Sequence, residues 1–156
     1  MDVASRMVIG VLAPPRASIG AAAFSPAGDT IVTVASGERP VTLWRADTFT
    51  PVWTASLPGH AGQGSDGAAA FSPDGTAALV STAAGLYLLD SASGAIRATG
   101  DIPDYVLNVA YGWNGRRIAV LHAPLTGMCL YSPHGGSVTL LDATTLAPIA
   151  TPVTWA

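Results

Sequence analysis

Charged residues are scarce in this chain. Of its 156 residues only 11% are Asp, Glu, Lys or Arg, whereas 49% are hydrophobic, and the formal net charge is −3. A chain that stays unfolded has the opposite balance, so this composition excludes a disordered protein. The seven basic residues are scattered and form no cluster. Because nucleic-acid binding requires a basic patch, the sequence predicts no nucleic-acid partner.

Cysteine and long apolar segments are also lacking. Cys129 is the single cysteine, which excludes an internal disulfide and indicates a reducing compartment. No hydrophobic run approaches the roughly 20 residues of a membrane-spanning helix. The apolar segment 7–13 follows one acidic and one basic residue and is ended by Pro14 and Pro15, which makes it a poor signal peptide. We therefore expect a cytoplasmic protein with no membrane partner.

What the sequence does contain is a repeated unit of short apolar runs and turns. The stretch Ala68–Asp90 combines three apolar runs, a Ser-Pro-Asp-Gly turn and a small-residue turn. Proline presets φ and glycine accepts positive φ in such turns, while β-branched and aromatic residues favour strands. The same order recurs before and after this stretch. It predicts a lone strand and three groups of four strands, with these approximate bounds: 7–12, then 19–56, 67–98 and 106–153.

The strand ends correspond across the three copies. First strands and third strands end at apolar positions, in order: Phe24, Phe71 and Tyr111, then Trp44, Leu89 and Leu141. Each copy takes roughly 40–50 residues, the period of a β-propeller blade. A sandwich or barrel of unrelated strands would make this shared order a coincidence. We therefore predict an all-β fold, with residues 1–156 forming one partial β-propeller domain of four-stranded antiparallel blades.

These segments resemble a known repeat family. AAFSPAGDTIVTVASGERPVTLW (22–44) and AAAFSPDGTAALVSTAAGLYLLD (68–90) are similar to WD repeats, with their F-S-P-D-G turn and L-W-D strand end. Gly59-His60 resembles the Gly-His dipeptide of that family. GGSVTLLDATTLAPIA (135–150) is equally similar to YVTN-type bacterial propeller repeats. The resemblance covers nearly the whole chain and implies a propeller scaffold.

The chain departs from the family at its hydrogen-bonded tetrad. In WD repeats the tetrad joins the Gly-His histidine, a second-strand Ser or Thr, a hairpin Asp and the third-strand Trp. Here His60 and Trp44 belong to different repeats, and the approximate matches of the hairpin Asp are these three residues: Glu38, Ala84 and Gly135. We therefore expect no complete tetrad and blades held together by apolar packing.

Three blades are fewer than the four to eight of complete propellers. The resemblance implies that the lone strand 7–12 completes a blade from outside. Two explanations stay open for the missing blades: they lie in sequence beyond these 156 residues, or chains self-associate to close the ring. In either case the uncovered end blades expose apolar faces.

Strand alternation places the longest loops on one face. The three connections 57–66, 99–105 and 122–136 all leave the blades on the same side, because each follows a second or a fourth strand. Functional residues on rigid scaffolds concentrate in such loops. The sequence therefore predicts a binding face for a protein or peptide partner, which displays the following residues: His60, Asp101, Asp104, Tyr105, Tyr131 and His134.

No catalytic or cofactor-binding motif is present. His122, Cys129 and His134 fall in one predicted loop and are weak candidates for a zinc or copper site, since their spacing matches no compact ligand motif. We predict no cofactor and a non-catalytic, WD40-like binding scaffold. The alternatives are a fragment of a propeller enzyme, lactonase-like or quinoprotein-like, and a structural part of a larger protein. Fold alone does not choose among them.

Overall fold

A computed structural model of the chain describes residues 10–12, 19–35, 40–58, 67–82, 84–102, 104–112, 114–124 and 135–155. These residues form strands and turns, and the part of the chain so described contains no helix. It therefore includes no helical segment that could cross a membrane. The predicted all-β fold is confirmed.

The strands form three four-stranded antiparallel sheets, each a simple meander. Blade 1 has β1 (Ile19–Phe24), β2 (Thr30–Ala35), β3 (Pro40–Arg45) and β4 (Pro51–Ser56). Blade 2 has β5 (Ala69–Phe71), β6 (Ala77–Thr82), β7 (Gly85–Asp90) and β8 (Ile96–Gly100). Blade 3 has β9 (Tyr105–Tyr111), β10 (Arg117–Ala123), β11 (Gly136–Asp142) and β12 (Val153–Trp155). The first strands, β1, β5 and β9, lie next to one another.

The three blades share one register. Phe24 faces Ile31, Phe71 faces Ala78 and Tyr111 faces Ile118 across the first two strands of each blade. The same holds between the second and third strands, where the facing pairs are Ile31 with Trp44, Ala78 with Leu89 and Ile118 with Leu141. Residues at corresponding positions can therefore be compared directly.

Alternation along β6 explains why the blades stack. Ala78 and Val80 belong to an apolar cluster shared with blade 1, whereas Ala77 and Leu79 belong to a cluster shared with blade 3. Successive side chains point to opposite faces of a strand, so one run of apolar residues supplies both clusters. Every residue of β6 is buried. Blade 2 is therefore the centre of the core.

Two predicted elements differ in the structure. The described part of the predicted strand 7–12, residues 10–12, forms no strand. There Gly10 packs directly against the Phe49 ring, and glycine is a weak strand former. The predicted fourth strand of blade 3, 147–153, is reduced to an isolated bridge between Leu141 and Pro148, with β12 beginning only at Val153. Pro148 and Pro152 have no N–H group to donate to a ladder, which interrupts the strand.

Candidate functional site

The predicted binding face is the side of the blades reached by the β4–β5, β8–β9 and β10–β11 connections. Two of these are long, 57–68 and 124–135, but the β8–β9 connection contains only residues 101–104. Thr99 and Gly100 complete β8, and Tyr105 begins β9, so the predicted loop 99–105 is too long at both ends. His60, Cys129, Tyr131 and His134 lie outside the described residues.

The described candidates of this face converge on the edge of blade 3. Asp101 is exposed in the β8–β9 connection, and Asp104 ends it. Tyr105 follows as the first residue of β9 and faces Ala123 across the sheet. The structure therefore brings Asp104 and Tyr105 to the end of β10 and leaves Asp101 exposed in the connection.

His122 is not a loop residue, contrary to the sequence-based prediction. It lies in β10, is only 5% exposed, and faces Ser137 on one side and Val106 on the other. A β-bulge opposite Leu121 and His122 places Leu107 as an extra residue in β9. Bulges of this kind turn side chains toward new partners at functional or structural sites.

Both ring nitrogens of His122 have hydrogen-bond partners. Nδ1 lies 2.8 Å from Asp104 Oδ2, and Nε2 lies 2.8 Å from Thr139 Oγ1. A carboxylate can only accept, so Nδ1–H donates to Asp104, and the Thr139 hydroxyl can donate or accept at Nε2. This Asp104–His122–Thr139 network joins the β8–β9 connection to β10 and β11. It lies at the base of the predicted binding face.

The network uses other positions than the tetrad of WD repeats. In the shared register His122 corresponds to Ala35 of blade 1, and Thr139 corresponds to Thr42. In blade 1 the Trp44 indole N–H donates to Thr33 Oγ1 at 2.8 Å, which is the Ser/Thr–Trp half of the family tetrad. One hydrogen bond of the tetrad is therefore present in blade 1, in addition to the apolar packing that joins the blades.

An acid, a histidine and a hydroxyl hydrogen-bonded in this order also form the catalytic triad of many hydrolases. Here, however, the histidine and the hydroxyl are buried, which does not suit catalysis. A nucleophile must reach a substrate atom, and Thr139 is only 4% exposed with its hydroxyl against His122. The His122 nitrogens are likewise engaged on both sides, which leaves neither available as a metal ligand. Among the described residues, no group of three His, Cys, Asp or Glu side chains is arranged to hold a metal ion.

A cleft of about 320 Å³ opens on the opposite face, between blades 1 and 2. Sequence reasoning did not identify it, because it forms between turns of different blades. Its lining includes Asp29 and Asp74. Asp29 accepts a hydrogen bond from Ser25, and Asp74 accepts from Ser72 and Thr76, so both carboxylates stabilise their own turns. The Ser72 hydroxyl, with Thr76, lowers the pKa of Asp74.

Comparison with solved structures identifies the fold. The WD40 repeats of RRP9 match 92% of this chain at 14% identity and a TM-score of 0.71, and a chain of the mitotic checkpoint complex matches 93% at 16% identity and 0.71. The chain has a WD40-type β-propeller fold. Hydrazine synthase of Kuenenia stuttgartiensis matches 92% at 15% identity and a TM-score of 0.65.

This likeness extends to the fold and no further. No protein-family model and no curated protein sequence matches the chain. The chain spans 41%, 42% and 38% of the RRP9, checkpoint-complex and hydrazine synthase chains. The three sheets are thus a partial propeller, and its structural neighbours include WD40 repeats, a chain of a protein complex and an enzyme.

Proposed function

We propose that this chain is a non-catalytic propeller scaffold that binds a protein or peptide through the face carrying the connections 57–68, 101–104 and 124–135. The observation that carries the proposal is the Asp104–His122–Thr139 network. It fixes the short β8–β9 connection to the two strands that frame the long 124–135 connection. Connections that leave a rigid frame are the segments that commonly serve recognition.

The contents of this face support binding better than catalysis. Asp101 is exposed in the β8–β9 connection and Tyr105 begins the strand that follows; aromatic residues are enriched at protein interfaces. The buried histidine and threonine hold the frame and offer no reactive atom to a substrate. Protein partners are also in keeping with WD40 neighbours found in complexes.

A peptide selection tests this proposal. Twelve-residue peptides selected from a displayed random library against the immobilised chain are labelled with fluorescein, and their binding is measured by anisotropy. We expect Asp101→Asn to raise the Kd of the selected peptides about fivefold. This corresponds to the loss of roughly 1 kcal/mol of binding free energy at an interface rim.

Asp47→Asn is the matched control, because it makes the same chemical change on the opposite face. Asp47 follows β3 in the β3–β4 turn, where its carboxylate pairs with Arg45. An exposed pair of this kind contributes little, so the variant should bind the peptides as the native chain does. If Asp47→Asn weakened peptide binding and Asp101→Asn did not, the binding site would lie on the opposite face and the proposal would be overturned.

A further inference from the structure

The cleft between blades 1 and 2, on the face opposite to the proposed binding face, combines a buried base with apolar walls. Leu43 on β3 and Ser25 after β1 line it and are 3% and 8% exposed. Pro26, Ala27 and Ala92 also line it and are exposed. Its volume of about 320 Å³ is at the small end of the range of ligand sites, which favours a single side chain over a larger ligand.

Contacts between the two blades hold the walls of this cleft in place. The Trp53 indole N–H on β4 donates to the Ser91 carbonyl at 2.9 Å, and the Ser91 hydroxyl donates to the Gly75 carbonyl at 2.6 Å. The Trp53 ring also packs against Gly94, where an added Cβ atom would lie 2.8 Å from the ring. The β7–β8 turn is thus fixed to both blades. A site that is already formed spends less free energy on ordering when a ligand binds.

Two carboxylates line the cleft without a cationic partner. Asp29 and Asp74 are both exposed there. Each uses its Oδ1 atom within its own turn, and neither Oδ2 atom accepts a hydrogen bond from a described residue. Arg45, one strand away, donates from Nε and Nη2 to Asp47 instead. The cleft therefore presents negative charge to solvent.

The corresponding place between blades 2 and 3 lacks this charge. In the shared register Thr76 takes the position of Asp29, and Asn114 takes that of Asp74. In blade 3 the position of Asp29 is occupied by Arg116, which is exposed. Turns of this register thus form with neutral or basic residues at these positions. The two carboxylates are therefore a property of this cleft and not a requirement of the turns.

We propose that this cleft binds an arginine side chain from a basic segment of a protein partner. A guanidinium group has five N–H donors in one plane, which suits acceptors on two different turns, Asp29 and Asp74. Its aliphatic stem matches the apolar surface of Pro26 and Leu43. This second site goes beyond the proposed function, because it lies on the other face.

A divalent cation suits the cleft less well than a guanidinium group. Calcium takes about six to eight oxygen ligands in proteins. Within the described part of the chain, no group of three His, Cys, Asp or Glu side chains is arranged to hold a metal ion.

Titration of the ¹⁵N-labelled chain with three capped tripeptides tests the proposal. The probes are acetyl-Gly-Arg-Gly-amide, its lysine counterpart and its citrulline counterpart, which keeps the shape of arginine without the charge. We expect the arginine peptide to shift the amide signals of Ala27, Gly75 and Ala92 in a saturable way. The Kd should be about fivefold higher for the lysine peptide and at least about tenfold higher for the citrulline peptide.

Four variants locate the site. Asp29→Asn and Asp74→Asn should each raise the Kd of the arginine peptide about fivefold, because each removes one charged acceptor. Ala92→Phe fills the cleft without changing either carboxylate and should abolish the shifts. Asp142→Asn is the matched control, because it makes the same chemical change in the β11–β12 turn of the same face, outside the cleft. The dispersion of the amide signals shows whether each variant is folded.

Four results would overturn the proposal. They are a citrulline or lysine peptide that binds as tightly as the arginine peptide, a Kd that neither Asp29→Asn nor Asp74→Asn changes, shifts confined to amides away from the cleft, and displacement of the peptide by an equal concentration of calcium chloride. Asp101→Asn should leave the Kd of the arginine peptide unchanged, because Asp101 lies on the other face. Failure of this titration therefore leaves the proposed function intact.

Discussion

At the level of single residues, Tyr87 and Tyr111 differ in whether the side-chain hydroxyl forms a hydrogen bond. The Tyr87 hydroxyl donates to the Pro58 carbonyl at 2.9 Å, which links blade 2 to the connection after β4. The Tyr111 hydroxyl is buried and has no hydrogen-bond partner among the residues that the structure describes. Burial raises the pKa of Tyr111 to about 12. A buried hydroxyl without a partner lowers the free energy of unfolding, whereas a hydrogen-bonded hydroxyl raises it.

We predict opposite effects for the same substitution at these two positions. Tyr111→Phe should leave the free energy of unfolding unchanged or raise it by up to about 1 kcal/mol, because it removes an unpaired polar atom. Phe24 and Phe71 already occupy this position in the other blades. Tyr87→Phe should lower the free energy of unfolding by about 1 kcal/mol. Urea unfolding measures both, and a loss of stability in Tyr111→Phe would reveal a partner such as a bound water.

In the Asp104–His122–Thr139 network we expect substitution of His122 to destabilise the chain more than either tyrosine substitution does. His122→Ala leaves the buried Thr139 hydroxyl without its partner and opens a cavity at the interface of blades 2 and 3. We expect the free energy of unfolding to fall by about 2–4 kcal/mol, as measured by urea unfolding. Asp104→Ala should be milder, because its side chain is 28% exposed and water can replace it at Nδ1.

Asp101→Ala is the control for this network, since Asp101 is exposed in the same connection. It should change the unfolding midpoint little. Equal losses in Asp101→Ala and His122→Ala would contradict an anchoring role for His122.

At the level of elements, the turns between third and fourth strands are built on carboxylates. Asp90 accepts hydrogen bonds from the backbone N–H groups of Ala92 and Ser93, and Asp142 accepts from those of Thr144 and Thr145. The Ser93 hydroxyl and the Arg97 guanidinium, with the backbone, lower the pKa of Asp90 to about 2. These are Asx-type turns, in which the side chain hydrogen-bonds backbone two and three residues further on.

This turn predicts an acid-sensitive contribution to stability. Because folding lowers the pKa of Asp90 from 3.8 to about 2, the folded state binds fewer protons than the unfolded state between these values. The contribution is fully present above about pH 4 and is lost as the pH falls toward 2. NMR titration of the Asp90 carboxyl carbon measures the pKa directly. A midpoint near 4 would show that the turn does not hold its carboxylate.

Asp90→Asn is the companion variant for this pH dependence. It keeps a side-chain acceptor for the turn but removes the titrating group. Its stability should therefore fall less between pH 4 and pH 2 than that of the native chain.

The same elements mark how far sequence reasoning extends. Turn residues placed between apolar runs predicted the order of strands, because proline, glycine and aspartate act locally in each turn. Phe49 and Leu146 adopt φ of 58°, at the position that Gly94 occupies in blade 2, and no local rule signals a non-glycine residue there. Leu146 is 3% exposed, so its packing in the core offsets this strained conformation.

The contact between His122 and Asp104 could not be predicted from the sequence, for a related reason. The two residues are 18 positions apart and match no motif. Their meeting depends on the bulge at Leu107, which shifts β9 by one residue against β10. The position of Asp101, Asp104 and Tyr105 on this side of the blades was predictable, because it follows from strand alternation alone.

At the level of the whole molecule, stability is concentrated in blade 2. Leu79, Leu86 and Leu89 are fully buried, and the two apolar clusters both include residues of β6 and β7. Five of the six residues of β2 in blade 1 are also buried, whereas only three of the seven residues are buried in each of β10 and β11 of blade 3. Sheets buried on both sides open only with the whole domain, whereas one-sided sheets can open locally.

We therefore predict a gradient of amide hydrogen exchange along the chain. Amides of β6 and β7 should exchange slowest, and those of the short β12, where Val153 is 68% exposed, should exchange fastest among the strands. Exchange followed by mass spectrometry of the peptide fragments measures this gradient. Uniform protection of all strands would contradict the prediction and would mean that the three blades unfold as one unit.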